Sequence, residues 1–225
     1  MIKKATKRVF ESNWTVTIFA TMIGVFAGIY LNAFVKDREL DNQTKRAFKK
    51  IEQEIEFNKE VIEKNYEVNL EIAEIVQFIF SKLNEEGDLI ATQDEMAKFR
   101  AKYPEVITDI DSTKLDDGYY NYSGSVNFNL SPPSLNTTDI AWVTFKNSQL
   151  ISTMNFECLY NLEIIYKLQE EINRENATVL KYFLGQLDKG EKGNGFIGQY
   201  GVLIELERAL LDGYETYYKE KANCN

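Results

Sequence analysis

The most apolar part of the chain is one uninterrupted run near its beginning, WTVTIFATMIGVFAGIYLNAFV, which contains no charged residue. A helix rises about 1.5 Å per residue, so a run of this length crosses the roughly 30 Å hydrocarbon core of a bilayer. Trp14 at one end and Tyr30 with Phe34 at the other are aromatic residues of the kind that lie at membrane interfaces. The pattern predicts a transmembrane helix over residues 14–35.

A cleaved signal peptide is the alternative interpretation of this segment. Its basic n-region would consist of Lys3, Lys4, Lys7 and Arg8. Ala27 or Ala33 would supply the small residue of a cleavage site. The apolar run is longer than the usual h-region of about 7–15 residues, and no clean small-x-small site with a polar start of a mature chain follows it. We therefore expect the helix to be retained as a membrane anchor.

Charge is distributed unevenly along the chain. The whole chain carries −9, and the four basic residues and one acidic residue before residue 36 give +3, which leaves −12 for the remainder. Basic residues flank the run on both sides, but a long domain is translocated largely regardless of its charge. The predicted arrangement is a cytoplasmic tail (1–13), a single span (14–35) and a helical domain outside the cytoplasm (36–225).

The acidic balance also bears on partners. A phosphate backbone needs a basic surface, so we expect no nucleic-acid partner. The basic cluster between Lys45 and Lys50 lies next to the predicted membrane, where it either meets anionic head groups or is a solvated helix face. The expected partners are the lipid bilayer and, through the span, another membrane protein or a second copy of the chain.

Small residues recur every fourth position inside the span, as Ala20, Gly24 and Gly28, followed by Asn32. This spacing places them along one stripe of the helix and includes a GxxxG step. Small residues let two helix backbones approach closely, and an asparagine can hydrogen-bond across such a contact. The stripe predicts a transmembrane helix contact, although the same spacing also arises by chance.

Neither glycine nor proline occurs between Gly28 and Gly87, so the backbone contains no signal that would end the membrane helix at residue 35. Beyond it, apolar residues follow the seven-residue frame of a coiled coil. One row contains Phe48, Ile55, Ile62, Val76 and Leu83, and the other contains Ile51, Ile72 and Ile79. Asn58, Asn65 and Asn69 lie on the same seam, where polar residues specify register and partner at a cost in stability.

Two further apolar-periodic runs, from about Asn155 to Leu187 and from Phe196 to about Ala222, are separated by a glycine-rich break. If they fold back as an antiparallel hairpin, Cys158 and Cys224 meet at its open end. A disulfide there would indicate an oxidising compartment outside the cytoplasm. The alternative is two unrelated thiols.

The first of these runs carries an apolar face of Leu162, Ile165, Ile172, Val179 and Phe183. Gln169 and Asn176 interrupt that face. These amides and the three asparagines of the long helix could share a buried polar layer, in which every amide needs a partner. Alternatively, the amides face solvent or a groove.

The middle of the chain is less regular. Thr92 and Glu95 form a capping-box pattern that begins a short helix ending by Pro104. Residues Tyr119–Leu130 alternate around Ser123-Gly124, which predicts a short β-hairpin. The expected fold is therefore mainly all-α. One N-terminal transmembrane helix continues into a long helix, which is followed by a helical bundle with room for a small β-hairpin.

A helix start at Asn136-Thr-Thr-Asp139 leads into a segment where Trp142 and Phe145 are spaced to face one core. This segment, Ala141-Trp142-Val-Thr-Phe-Lys-Asn147-Ser148, is followed by Leu150-Ile151, and the span ends in Leu31-Asn32-Ala33-Phe34.

In these motifs and in its layout, most of the chain resembles an uncharacterised bacterial family of single-pass membrane proteins, a domain of unknown function. Phe34 and Gln149 stand where that family usually has tryptophan and glycine. The resemblance implies one span, an extended helix and a helical extracytoplasmic domain, and it implies no activity.

Enzyme chemistry finds little support in the residue inventory. The chain contains no histidine, which excludes histidine triads, Glu-x-x-His di-iron sites and Cys/His zinc sites. The glycines between Gly190 and Gly201 lack the Lys-Ser/Thr of a phosphate loop. The pairs Glu170-Glu171 and Asp116-Asp117 are adjacent in sequence, and adjacent residues of a helix point in different directions. We expect no catalytic residue, no metal site and no cofactor.

The predicted function is that of a membrane-anchored structural or interaction subunit. The alternative is an extracytoplasmic ligand-sensing module that signals through a partner. Its ligand would enter the helical bundle or contact the aromatic stretch Tyr119–Phe128.

Overall fold

The computed structural model describes residues 13–126, 137–183 and 194–224. Its α-helices are α1 (Asn13–Lys82), α2 (Gln93–Lys102), α3 (Ile140–Lys146), α4 (Phe156–Phe183) and α5 (Asn194–Glu220). Its strands are β1 (Leu89–Thr92), β2 (Ile107–Lys114) and β3 (Tyr119–Val126), and short 3₁₀ turns cover Asp116–Gly118, Gln149–Thr153 and Lys221–Cys224. The prediction of a mainly all-α chain with a small β element is confirmed.

Helix α1 is 70 residues long, which confirms that it does not end where the apolar run ends. The chain divides into two compact units, and α1 contributes to both. The first unit contains the chain up to Gln53 together with Ile140–Thr153. The second unit contains Glu54–Asp139 and Met154–Asn225.

In the first unit, α3 packs its aromatic face on the middle of α1. Trp142 and Phe145 are one helical turn apart and both are buried, as their spacing predicts. The ring of Phe145 lies 5.6 Å from that of Phe48 between centroids. The hydroxyl groups of Thr44 and Thr153 are 3.1 Å apart and share a hydrogen bond.

In the second unit, the three strands form an antiparallel sheet in the order β1-β3-β2. The predicted hairpin turn at Ser123-Gly124 is wrong, because these residues lie inside β3, where Ser123 pairs with Asp111. The turn is instead at Asp117-Gly118, whose φ angles of 62° and 81° are both left-handed. An Asp-Gly pair accepts this backbone conformation readily, which makes it the stronger turn signal. Residues 127–130 of the predicted hairpin lie outside the described chain.

The sheet and α2 cover the last turns of α1. Thr92 caps α2, since its hydroxyl accepts the Glu95 N–H at 3.3 Å and the Glu95 carboxylate accepts the Thr92 N–H at 3.0 Å, so the predicted capping box is confirmed. The rings of Phe78 on α1 and Phe99 on α2 stack at 4.1 Å. The apolar core of this part is formed by Ile75, Ile79, Leu89, Ala91, Met96, Phe99, Tyr103, Val106 and Ile107.

The rest of the second unit is built on α1, α4 and α5, each with buried residues at helical spacing. Most of the predicted seam of α1 is buried, but Leu83 is 38% exposed and forms a β-bridge with Leu89 instead. Ile75 is buried although it lies outside the two predicted rows. On α4 the buried residues are Cys158, Leu162, Ile165, Tyr166, Gln169, Ile172 and Val179, and on α5 they are Phe196, Tyr200, Leu203, Ile204, Glu207, Leu210, Tyr214 and Tyr217.

Candidate functional site

The buried faces of α1, α4 and α5 carry several polar side chains. Those no more than 7% exposed are Glu54, Asn58, Asn65, Asn69, Gln169 and Glu207. A buried polar group without a hydrogen-bond partner costs about 1–3 kcal/mol, so the partners of each group decide what the arrangement does. The structure groups most of them into two clusters, which we name the Thr138 clamp and the Glu207 layer.

The Thr138 clamp holds the backbone just before α3. Asn58 donates from Nδ2 to the Thr138 carbonyl at 2.6 Å, and its Oδ1 accepts the Thr138 N–H at 2.9 Å. The side-chain amide thus bonds this residue as a neighbouring β-strand would. Gln169 of α4 donates to the same carbonyl at 3.2 Å, and its Oε1 accepts a bond from Asn58 at 3.0 Å. Both α1 and α4 therefore bond the segment that contains Thr138.

A carboxylate completes the clamp. The Tyr166 hydroxyl donates to Oε1 of Glu54 at 2.6 Å, and the Thr138 hydroxyl donates to its Oε2 at 3.4 Å. Burial raises the pKa of Tyr166 far above the usual range of a phenol, so this hydroxyl keeps its proton and remains a donor. Both oxygens of the Glu54 carboxylate are thus bonded inside the protein.

Replacing Asn58 by alanine is expected to destabilise the second unit by about 2–3 kcal/mol, because it removes the hydrogen bonds of this fully buried amide to Thr138 and Gln169 and leaves a cavity. Urea unfolding followed by circular dichroism measures the loss. The control is Asn161→Ala, which removes a half-buried amide whose bond to Glu220 is exposed and should cost less than about 1 kcal/mol. Equal losses in the two variants would contradict the clamp.

The Glu207 layer joins α5 to α1. Glu207 is fully buried, at 0% exposure. Its Oε1 accepts a bond from Asn69 Nδ2 at 2.8 Å, and Asn69 Oδ1 accepts one from the Tyr200 hydroxyl at 2.7 Å. The amide of Asn69 is therefore fixed at both ends. Within the described chain, Oε2 of Glu207 has no hydrogen-bond partner.

Burial disfavours ionisation of this carboxyl group. It raises the pKa of Glu207 to about 7, although the hydrogen bond from Asn69 acts in the opposite direction. Burial likewise raises the pKa of Tyr200, and the nearby Glu207 charge contributes in the same sense. The layer therefore contains an acid that changes its protonation state near neutral pH.

The five amides predicted from sequence have different surroundings. The structure brings Asn58 and Gln169 together in the clamp, as the shared-layer hypothesis expects, and joins Asn69 to the Glu207 layer. Asn65 is buried and its Nδ2 has no hydrogen-bond partner among the described residues, whereas Asn176 is half-buried. The solvent-facing alternative is wrong for the four buried amides.

Sequence reasoning missed the groups that complete both clusters: Glu54, Thr138, Tyr166, Tyr200 and Glu207. A signal for one of them was present. Glu207 lies seven residues after Tyr200 and seven before Tyr214, both buried, which places an acidic residue in an apolar row. An acidic residue at such a position indicates either a buried carboxyl group or a break in the core.

The structure brings the two cysteines together as the hairpin interpretation expects. Cys158 in the first turn of α4 and Cys224 after α5 form a disulfide, with Cα atoms 5.2 Å apart. Both residues are buried. The bond ties the beginning of α4 to the end of α5.

The predicted contact stripe of the apolar run is exposed in the part of the chain that the structure describes. Ala20, Gly24, Gly28 and Asn32 are exposed, and nothing lies within 4 Å of a Cβ placed at either glycine. The helix is long and apolar enough to cross a membrane, by length and composition, and its most apolar stretch is not buried by the described residues. Contact through the stripe remains a prediction.

The adjacent carboxylate pairs lie on the surface of the structure. Asp116 and Asp117 are exposed in the turn before β3, and Glu170 and Glu171 are exposed on α4. In residues 13–126, 137–183 and 194–224, no group of three or more cysteine and acidic side chains is arranged to hold a metal ion.

Comparison of the chain with protein-family models, with curated proteins and with solved structures finds no match. The resemblance expected from the sequence motifs therefore remains a prediction. The function has to be inferred from the arrangement of this chain's own residues.

Proposed function

We propose that the protein is a membrane-anchored structural or interaction subunit that acts through helix–helix contacts. The observation that carries this proposal is the exposed apolar surface of the first part of α1. Its exposed large side chains are Trp14, Val16, Ile18, Phe19, Met22, Ile23, Val25, Phe26, Ile29, Tyr30, Leu31, Phe34 and Val35. A continuous apolar surface of this kind needs lipid or protein around it.

The second unit supports an interaction role because its polar groups are used to fix its own packing. In the Thr138 clamp, the amides of Asn58 and Gln169 bond each other and the backbone of Thr138. Such a network favours one well-defined arrangement of helices over a loose one. A defined helical surface is what a scaffold or accessory subunit presents to a partner.

The proposed location is the bacterial inner membrane, with residues 1–13 in the cytoplasm and the helical domain in the periplasm. The disulfide between Cys158 and Cys224 supports this orientation, because such bonds persist in the periplasm and are rare in the cytoplasm. The basic residues before the span agree with it.

The proposed contact runs along Ala20, Gly24, Gly28 and Asn32 and joins the span to another membrane protein or to a second copy. No described residue lies within 4 Å of a Cβ placed at either glycine, so a partner helix could approach the backbone there.

Replacing Gly24 and Gly28 by leucine is expected to abolish this association, because the new side chains keep the two backbones apart. The tagged full-length protein is extracted in mild detergent, and the mass and composition of the complex are determined. The matched control, Met22→Leu with Phe26→Leu, changes the opposite face of the helix and should leave the complex intact.

The composition of the complex distinguishes an accessory subunit from a self-associating one. A stoichiometric second protein that the glycine variant loses supports an accessory subunit, and a defined homo-oligomer that it loses supports self-association. A wild-type protein that is monomeric in both detergent and lipid nanodiscs would contradict the interaction role.

A ligand-sensing module that signals through a partner is the second candidate function. It is favoured by the Glu207 layer, where a carboxylate oxygen inside the bundle retains hydrogen-bonding capacity in the described structure. Saturable thermal stabilisation of the full chain by a small polar molecule, lost in Glu207→Leu, would support it. Stabilisation that is the same in this variant would argue against a ligand at the layer.

A further inference from the structure

The buried carboxyl groups of Glu54 and Glu207 differ in the number of hydrogen bonds that they receive from described residues. Each oxygen of Glu54 receives a bond, one from Tyr166 and one from Thr138. Among the described residues, Glu207 receives a bond on one oxygen, from Asn69, and none on the other. An ionised carboxylate offers about four acceptor positions, so the surroundings of Glu207 supply a small part of what its charge requires.

The groups that face Glu207 offer no compensating positive charge in the described chain. On its own helix, the buried residues within one turn are Leu203, Ile204 and Leu210, and the buried residues two turns away are Tyr200 and Tyr214. Helix α1 contributes the neutral amides of Asn65 and Asn69 to the buried face. The environment therefore penalises the charged form of Glu207 and tolerates the neutral form.

The charged residues of the three helices at this level lie on exposed faces or pair with other groups. On α1 they are Lys64, Glu67 and Glu71, all exposed. On α5, Arg208 pairs with Glu205 at 2.8 Å on the exposed side and also bonds the hydroxyl of Tyr66 on α1. The buried face of α4 in this stretch consists of Gln169, Ile172 and Val179. The charged residues Glu170, Glu171 and Arg174 of α4 are at exposed positions. Glu175 is half-buried and bonds Gln199 and Arg174.

We propose that the Glu207 layer is a proton-operated latch between α1 and α5, closed when Glu207 is protonated and opened when it is ionised. Ionisation places a charge where, among the described residues, the amide of Asn69 supplies the one hydrogen bond to the carboxylate, so the carboxylate gains more by reaching water than by remaining between the helices. Separation of α1 from α5 at this level also breaks the bond from the Tyr200 hydroxyl to Asn69, because the amide of Asn69 bonds both Glu207 and Tyr200. The ligand of the latch is the proton, and this role goes beyond the proposed anchoring function.

The direction of the pH effect follows from the two protonation equilibria. In the closed form the pKa of Glu207 is raised to about 7, above the ordinary value of 4.5. Between pH 4.5 and about 7 the closed form therefore keeps the proton of Glu207, whereas the open form releases it. The resulting stabilisation of the closed form is complete below about pH 4.5 and is lost as the pH rises through about 7. Between pH 5 and pH 8 the opening equilibrium constant should rise on the order of 100-fold.

Hydrogen exchange of the full chain in detergent micelles, corrected for the intrinsic pH dependence, tests the latch. Peptides covering Asn65–Ile72 of α1 and Tyr200–Leu210 of α5 should show the 100-fold rise in wild type. Glu207→Gln, which cannot ionise, should show a flat profile. Glu205→Gln removes an exposed carboxylate from the same helix and should keep the wild-type profile.

Two results would overturn the latch: a flat profile in wild type, or a Glu207→Gln variant that retains the rise. A second measurement uses wild type alone and does not depend on folding of the variant. The infrared band of a protonated, buried carboxylic acid should be present at pH 5 and absent at pH 8.5. Its absence at pH 5 would show that Glu207 is ionised in the closed form and would refute the proposal.

Discussion

Replacing Cys158 and Cys224 by serine is expected to lower the free energy of unfolding of the protein by about 4 kcal/mol. The two cysteines are separated by 66 residues, and a crosslink closing a loop of that size removes a corresponding amount of entropy from the unfolded chain. Both residues are also buried, so the serine hydroxyls add a desolvation cost. Urea unfolding of the full chain in detergent, followed by circular dichroism, measures the difference.

The control for this prediction is the wild-type protein in excess reductant, which should lose most of the same stability but not the part due to the buried serine hydroxyls. Either single serine variant should behave like the double variant, because the bond is lost in each case. Reduced and oxidised wild type with identical unfolding curves would contradict the stabilising role.

The same cysteines report on the compartment. With the helical domain in the periplasm, protein taken from cells under thiol-blocking conditions should contain the disulfide and no free thiol. Labelling of both cysteines in such material would contradict the proposed orientation, since it would show that the domain lies in a reducing compartment.

The parts of the fold that sequence predicts well are those encoded locally. The length of α1 follows from the absence of helix breakers between Gly28 and Gly87, and the start of α2 follows from the Thr92–Glu95 capping box. The hairpin turn was misplaced because Ser123-Gly124 interrupts an alternating pattern, whereas Asp117-Gly118 has the side chains that accept left-handed angles. Choosing between them required the strand pairing, which is not a local property.

The candidate site was predicted only in part, for a similar reason. Asparagines in an apolar seam are visible in sequence, so Asn58 and Asn69 were expected in a polar layer. Their partners are not visible: Thr138 lies 80 residues from Asn58, and Glu207 lies 138 residues from Asn69. A periodic pattern indicates which face of a helix is buried, but not which residue of a distant element lies opposite.

The Thr138 clamp and the Glu207 layer illustrate two uses of buried polarity in one helical bundle. In the clamp, each polar group that the helices contribute is bonded to another, which fixes one packing arrangement. In the layer, one oxygen is left without a partner among the described residues, so the packing there depends on the proton carried by Glu207. The clamp therefore stabilises one packing of the helices, whereas the packing at the layer changes with pH.

Placing two arginines inside the apolar run, as Ile23→Arg with Phe26→Arg, is expected to prevent membrane integration. Each arginine near the centre of a span costs about 2.5–3.5 kcal/mol, so the pair costs on the order of 6 kcal/mol before the loss of the two apolar side chains is added. Neither position belongs to the stripe of small residues, so the change acts on insertion and not on the proposed helix contact. Alkaline carbonate extraction of membranes, followed by immunoblotting, measures the integrated fraction.

The matched control, Ile23→Leu with Phe26→Leu, keeps the run apolar and should remain integrated. The mass of the integrated wild-type protein distinguishes an anchor from a cleaved signal peptide, because cleavage at Ala27 or Ala33 would remove the run. If the arginine variant remained integrated, the exposed apolar side chains of α1 would have to be covered by another protein, since lipid alone does not accept two such charges. The anchor would then be a protein–protein interface, and the proposed subunit would associate with the membrane only through its partner.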